Sequence, residues 1–210
     1  MEEIWESCFV EAQTSWGFEP SDSAILVKDL FLKQQIHNIL IPGIGYGRNA
    51  TIFVNNGMNV SGIEISKTAI ELARTKNRLD IPIHHGSVTN MPFNQQRYDG
   101  IFCYALVHLL NYWERRKFIK ACYEQLKPNG YMVFTVISKT TSMYGQGKKL
   151  SKDRYQIMNG LNVFFYDAHS VKKEFGSYGL IEYNDIDEPI KHMKGEPPLK
   201  CILIKCQRDI

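Results

Sequence analysis

The stretch from Asn38 to Ala50, NILIPGIGYGRNA, constrains this chain more than any other. An apolar run ends there in glycines at positions 43, 45 and 47, and the next apolar run closes on Glu64. Glycines at alternate positions after a strand let the main chain turn sharply and approach a ligand with no Cβ in the way. The result is a nucleotide-sized crevice beside the following helix. An acidic side chain at the tip of the second strand can accept two hydrogen bonds from a ribose diol. Glu64 follows Gly47 by 17 residues, close to the roughly 20 of dinucleotide-binding folds. The pairing of the two signals predicts a ligand-binding α/β enzyme.

Short β-branched runs alternate with helical patterns along the rest of the chain, which predicts a parallel sheet with crossover helices. Strands are expected over 36–41, 59–64, 81–84, 98–104 and 131–137. Helices are expected over 47–56, over 67–76 behind a Ser66 cap, over 113–126 and over 168–178. The last runs, 180–186 and 199–205, read as an antiparallel pair. From Ser138 to Asn162 the pattern dissolves into Ser, Thr, Lys and Gly, as expected of an irregular lid or binding loop. The expected architecture is therefore a Rossmann-like, doubly wound α/β fold. Its sheet is seven-stranded and mostly parallel, with the last strand antiparallel. One domain spans 1–210, with an N-terminal helical cap over 1–35 and a lid-like insertion over 138–166.

Composition narrows the class. At 210 residues and 44% hydrophobic, the chain can bury one sizeable core. A net charge of +3, scattered without a single-sign block, gives no sign of a nucleic-acid or membrane partner. The five cysteines form no CxxC pair and are odd in number, which points to a reducing compartment. The acidic start MEEIWESC is unlike a secretory leader, and no apolar run approaches the roughly 20 residues of a membrane span. A soluble cytoplasmic protein is expected. His84-His85 has no carboxylate or Cys at ligand spacing, so no metal is expected.

At this point the chain resembles the class I S-adenosylmethionine-dependent methyltransferases, from about residue 36 to the end. GIGYG resembles that family's first motif, GIEIS at 62–66 its second and GSVTNMPF at 86–93 its third. YDGIFCYALVHLL at 98–110 resembles its fourth and LKPNGYMVF at 126–134 its fifth. The Arg48-Asn49 pair and the FFYD stretch at 164–167 resemble more narrowly the small-molecule enzymes related to tellurite-resistance and thiopurine methyltransferases. The chain departs from the family at two acids: Ile41 stands where one usually orders the cofactor's amino group, and Ser87 where another reaches adenine.

The resemblance implies S-adenosyl-L-methionine as cofactor. Its site would comprise Gly43, Ile44, Gly45, Gly47, Asn49, Glu64, Ile65, Ser66, Ser87, Val88 and Tyr104. Glu64 would grip the ribose, Ile65 and Val88 would flank adenine, and the backbone of Gly43 to Gly45 would face the methionine portion. Methyl transfer from a sulfonium needs positioning and water exclusion more than side-chain chemistry. If the acceptor must lose a proton, His108 is the candidate base, with Tyr104 positioning the acceptor; a structural, hydrogen-bonded His108 is the other reading. Trp5 and Trp16 either fold over the crevice or anchor a terminal helix. Tyr144, Phe164, Phe165 and Tyr166 either line an acceptor pocket beneath 138–166 or pack the core.

The implied activity is transfer of a methyl group to a small-molecule acceptor by in-line displacement. The alternative is a non-catalytic S-adenosylmethionine-binding sensor or partner module. A nicotinamide dehydrogenase is disfavoured because Arg48 occupies the third position of the GxGxxG pattern. A base-modifying amino-methyltransferase is disfavoured because FCYA lacks an Asn-Pro-Pro-Tyr-like tetrad.

Overall fold

A computed structural model describes residues 2–157, 160–191 and 195–209. Residues 158 and 159 of the expected lid, and 192–194 between the last two strands, lie outside the described residues. In chain order the elements are α1 (Glu2–Ala12), α2 (Asp22–Lys33), β1 (Asn38–Pro42), α3 (Ala50–Val54), β2 (Asn59–Glu64), α4 (Lys67–Thr75), β3 (Ile83–His85), β4 (Tyr98–Tyr104), α5 (Tyr112–Gln125), β5 (Leu126–Ile137), β6 (Lys148–Ser151), β7 (Arg154–Gln156), β8 (Asn162–Phe164), α6 (Ala168–Phe175), β9 (Leu180–Glu188) and β10 (Leu199–Gln207).

Seven strands form one sheet in the order β3-β2-β1-β4-β5-β10-β9. β1 to β5 pair in parallel, and β10 runs antiparallel to both β5 and β9. The chain winds outward from β1 to β3, then returns to β4 on the other side of β1. Strand order therefore reverses between β1 and β4, where an open α/β sheet leaves a crevice at its carboxyl edge. Gly43 follows β1 and Ala105 follows β4, so both loops open onto that point.

Strand side chains alternate between two cores. Ile39, Ile41, Phe102 and Val133 pack with Val27 and Phe31 of α2 and Phe53 of α3. Leu40, Ile101, Cys103, Met132 and Phe134 face Phe118, Ile119 and Cys122 of α5 and Phe175 of α6. Both faces are covered, so the strands read as nearly continuous apolar runs. Each fully buried large side chain contributes about 1.5–3 kcal/mol. A third contact ties the far edge of the sheet to the N-terminal segment. Glu188, the last residue of β9, accepts the N–H of Asp22 at 2.8 Å and that of Ser23 at 3.1 Å, capping α2 from outside the helix.

Four departures from the expected elements have local causes. β1 begins at Asn38 because the Ile36 N–H still bonds Phe31 O at the end of α2, 2.9 Å away. α3 begins at Ala50 because Gly47 has φ +80°, which no right-handed helix contains. The 3₁₀ turn Gly176–Tyr178 follows α6, which itself ends at Phe175. The 138–162 stretch is not wholly irregular: β6, β7 and β8 form a small antiparallel sheet, turned at Asp153, whose φ is +59°. β6 is exposed throughout, and Val163 is the one buried residue of the three strands, so no period-2 apolar pattern marks them.

Candidate active site

The crevice between β1 and β4 is built from main chain before side chains. The N–H groups of Gly43 and Ile44 both donate to Ile63 O, at 2.8 and 3.1 Å, which folds the glycine loop back over β2. Gly43 has φ +67°, and a Cβ there would lie 2.2 Å from Leu106 Cδ1, so the loops after β1 and β4 pass with no room for a side chain. Glu64 ends β2 beneath this loop and is 5% exposed. Its Oε2 accepts the Gly45 N–H at 2.7 Å, and its Oε1 accepts those of Ile65 at 2.8 Å and Ser66 at 3.0 Å. A carboxylate offers about four acceptor positions, so Oε2 keeps one for a further donor. Burial raises the Glu64 pKa above its ordinary value, and the three N–H bonds oppose that shift only in part.

Around Glu64 lies a cavity of ≈260 Å³. Its floor is Ile41, Gly43, Ile44, Gly45 and Ile65, and its far wall is Tyr104, Ala105, Leu106 and Leu109. The N-terminal segment supplies the roof, with Trp5, Phe9 and Trp16 over Tyr46. Trp16 stacks on Tyr46 with centroids 6.2 Å apart, and Phe9 meets the edge of Trp16 at 5.5 Å. α1 is also tied to the start of α4. Glu6 Oε2 accepts the Ser66 hydroxyl at 2.6 Å, and its Oε1 accepts that of Thr68 at 2.6 Å. A smaller space of ≈40 Å³ continues past Glu64 between Ser87, Val88, Trp5, Leu106 and Leu110.

The structure gathers Gly43, Ile44, Gly45, Asn49, Glu64, Ile65 and Tyr104 into the larger cavity wall, and Ser87 and Val88 into the smaller space. Among the described residues, three others lie elsewhere. Gly47 serves packing, since a Cβ on it would sit 2.1 Å from Leu79 Cδ1. The Ser66 hydroxyl caps α4 by accepting the Ala69 N–H at 3.0 Å while donating to Glu6. His108 is 4% exposed, does not line either space, and accepts the Ile137 N–H on Nδ1 at 3.4 Å. Burial lowers its pKa to about 3, so it is neutral and a weak base.

The aromatic residues of 144–166 also stand apart from the cleft. Tyr144, Tyr155 and Phe165 pack edge to face, and Phe164 lies under the Arg115 guanidinium at 3.9 Å. Tyr166 donates its hydroxyl to Glu174 at 2.7 Å. Conversely, no pattern in the sequence marks Arg48, Ala105, Leu106 and Leu109 as wall residues. Ala105 adopts φ +51°, a left-handed conformation costly for a residue with a Cβ, at the point where β4 turns into the cleft. Nothing in an alanine announces that. Tyr104 lines the wall with its phenol pushed to higher pKa by burial.

Residues 40–134 match the family described as "Methyltransferase domain". Among curated proteins no match is found. The chain is similar to the Burkholderia thailandensis 1,6-didemethyltoxoflavin-N1-methyltransferase, solved with that compound and S-adenosylhomocysteine. The TM-score is 0.74 and the identity 14%, over 99% of this chain and 88% of that one. Similar too is the N-methyltransferase NodS of Bradyrhizobium japonicum with S-adenosylhomocysteine, at 0.64 and 16%, over 89% of this chain and 86% of that. TehB of Haemophilus influenzae aligns at 0.65 and 18%, over 87% and 61%. The family match spans the glycine loop, Glu64 and the Tyr104 turn that build the cleft, on a Rossmann-like fold. Residues 40–134 of the chain thus resemble a methyltransferase domain, and the solved structures share its Rossmann-like fold.

Proposed function

We propose that this domain methylates a small, partly apolar acceptor held under α1, by in-line displacement at the carboxyl edge of the sheet. The observation that carries the reading is Glu64, a buried carboxylate that lines the cavity and is fixed by three main-chain N–H groups with one acceptor position left. That position suits a ribose hydroxyl, and the bare main chain of Gly43 and Gly45 suits the aminoacyl tail. Ile65 and Val88 offer apolar contact to adenine, with Ser87 near its edge. The bound cofactor supplies an activated methyl on sulfur, so the protein needs to supply alignment and dryness more than acid-base chemistry.

Trp5, Phe9 and Trp16 roof the cavity in aromatic surface, which suits a flat or apolar acceptor and excludes water. Tyr104 stands on the wall, where its neutral phenol can orient the acceptor. His108 takes no proton in this scheme, because it is walled off and weakly basic. The small space beside Val88 is bounded by Trp5 and Leu106, so α1 is the part that withdraws to seat a nucleoside. Residues 1–35 then act as the cap. The 138–166 segment approaches the mouth through Leu161, which faces Ile4, Trp5 and Cys8 of α1 across a space of ≈500 Å³.

Calorimetry with S-adenosylmethionine and S-adenosylhomocysteine tests the cofactor site, with micromolar binding of both expected. Absence of binding at millimolar concentration removes the reading. Release of S-adenosylhomocysteine over a panel of small phenols, amines and thiols separates a transferase from a sensor that binds without turnover.

A further inference from the structure

Arg48 is the single cation among the residues that line the larger cavity. Among the described residues, Nη1 donates to Trp16 O at 3.3 Å and the guanidinium also interacts with the Tyr104 phenol, which leaves part of its five-donor fork for a ligand. Its guanidinium carbon stands 5.7 Å from the centre of the Tyr104 ring. No carboxylate among the described residues pairs with it. The one carboxylate of the wall, Glu64, is engaged by Gly45, Ile65 and Ser66.

The groups beside Arg48 have the same polarity. Asn49 has its carbonyl oxygen taken by the Ser21 N–H at 2.8 Å, so its amide N–H₂ is what remains to offer. Tyr104 keeps its phenol proton. One end of an otherwise aromatic cavity therefore presents donors, with a planar guanidinium among them. A guanidinium fork matches a carboxylate bidentately, and the match is strongest in a site shielded from water.

We propose that Arg48 is the carboxylate-binding residue of the cleft. This deepens the cofactor reading and rests on it. Two ligands can bring the carboxylate: the aminoacyl tail of the cofactor, or an acceptor that is itself a carboxylic acid. In either case Arg48 is a binding residue and performs no chemistry.

The test measures binding to the full chain and to Arg48→Ala and Arg48→Lys, by calorimetry and by the fluorescence of Trp5 and Trp16, which line the cavity. The probes are S-adenosylhomocysteine and 5′-methylthioadenosine, which lacks the aminoacyl tail. Benzoate and benzamide are then titrated into protein saturated with S-adenosylhomocysteine. If the cofactor tail is the partner, Arg48→Ala weakens S-adenosylhomocysteine by about tenfold or more and leaves methylthioadenosine unchanged. Arg48→Lys recovers part of the loss. If the acceptor is the partner, both nucleosides bind the variant as before, and the preference for benzoate over benzamide disappears. Unchanged methylthioadenosine binding also shows that the variant is folded.

The proposal is overturned if neither preference depends on Arg48 while the nucleosides still bind. Wild-type protein that binds neither nucleoside overturns the cofactor reading and this proposal with it.

Discussion

Two buried carboxylates, one in each half of the molecule, are held by opposite means. Glu64 in the cleft is held by main chain alone, through the N–H groups of Gly45, Ile65 and Ser66. Glu174 on α6, 9% exposed, is held by side chains. Arg115 of α5, 2% exposed, donates from Nε at 3.0 and 3.1 Å and from Nη2 at 2.8 Å, and Tyr166 adds its hydroxyl. Main-chain donors fix Glu64 with no ion-pair partner among the described residues and leave an acceptor position for a ligand. Side-chain donors saturate Glu174, so it works as a strut between α5, α6 and the end of the insertion. The first arrangement is ready for recognition and the second is closed to it.

The contrast is broken most directly at Arg115. Replacing it with Met leaves Glu174 buried with a single hydroxyl partner, and a loss of about 3–5 kcal/mol is expected, the cost of an uncompensated buried charge. Urea unfolding of Arg115→Met reads it. The double change Arg115→Met with Glu174→Leu is expected to recover most of the loss, because well-packed apolar groups can replace a buried ion pair. A single variant within 1 kcal/mol of wild type would mean that water reaches Glu174 and that the strut is no strut.

The matching change in the cleft is smaller and falls on a different quantity. Glu64→Ala removes the proposed ribose acceptor, and affinity for S-adenosylhomocysteine is expected to fall by about 1.5–3 kcal/mol, the range for losing a charged hydrogen-bond partner. Stability is expected to fall less than at Arg115, since two of the three freed N–H groups, those of Gly45 and Ile65, belong to residues that line the cavity. An unchanged dissociation constant would refute the ribose role, and a stability loss as large as that at Arg115 would erase the contrast.

The same distinction decides what could be read without coordinates. Gly43, Gly45 and Glu64 were legible because main-chain geometry dictates residue type: positive φ asks for glycine, and a carboxylate at a strand tip has a fixed spacing from the loop. β2 and β4 came out residue for residue, since their apolar runs are buried on both faces. Arg115 and Glu174 lie 59 positions apart on helices that read as ordinary charged surface, so their pairing left no local trace. Arg48 stands out in the sequence only as part of a motif, because whether a cation has a partner is a property of the folded site. Ser66 shows the intermediate case. Its identity announced a helix cap, and the structure spends its hydroxyl there and on Glu6, away from the cavity.

Glu6 is a third carboxylate between these extremes, held by the Ser66 and Thr68 hydroxyls and, at 3.4 Å, by the Thr68 N–H, at a partly exposed site. The two hydroxyl bonds lower its pKa below 4.5. A lowered carboxylate contributes stability that is complete above its unfolded value and is lost as pH falls through the folded one. Acidification is therefore expected to free α1 below about pH 4.5, seen as a change in Trp5 and Trp16 emission. Glu6→Gln should remove that step and leave a roof slightly looser at neutral pH. The effect on overall stability is expected to stay under about 1 kcal/mol, because solvent screens the contact. Identical acid titrations of the variant and wild type would assign the hold on α1 to the packing of Trp5, Phe9, Trp16 and Tyr46. The gate over the cleft would then open by unstacking aromatic rings, insensitive to pH, rather than by releasing a charge.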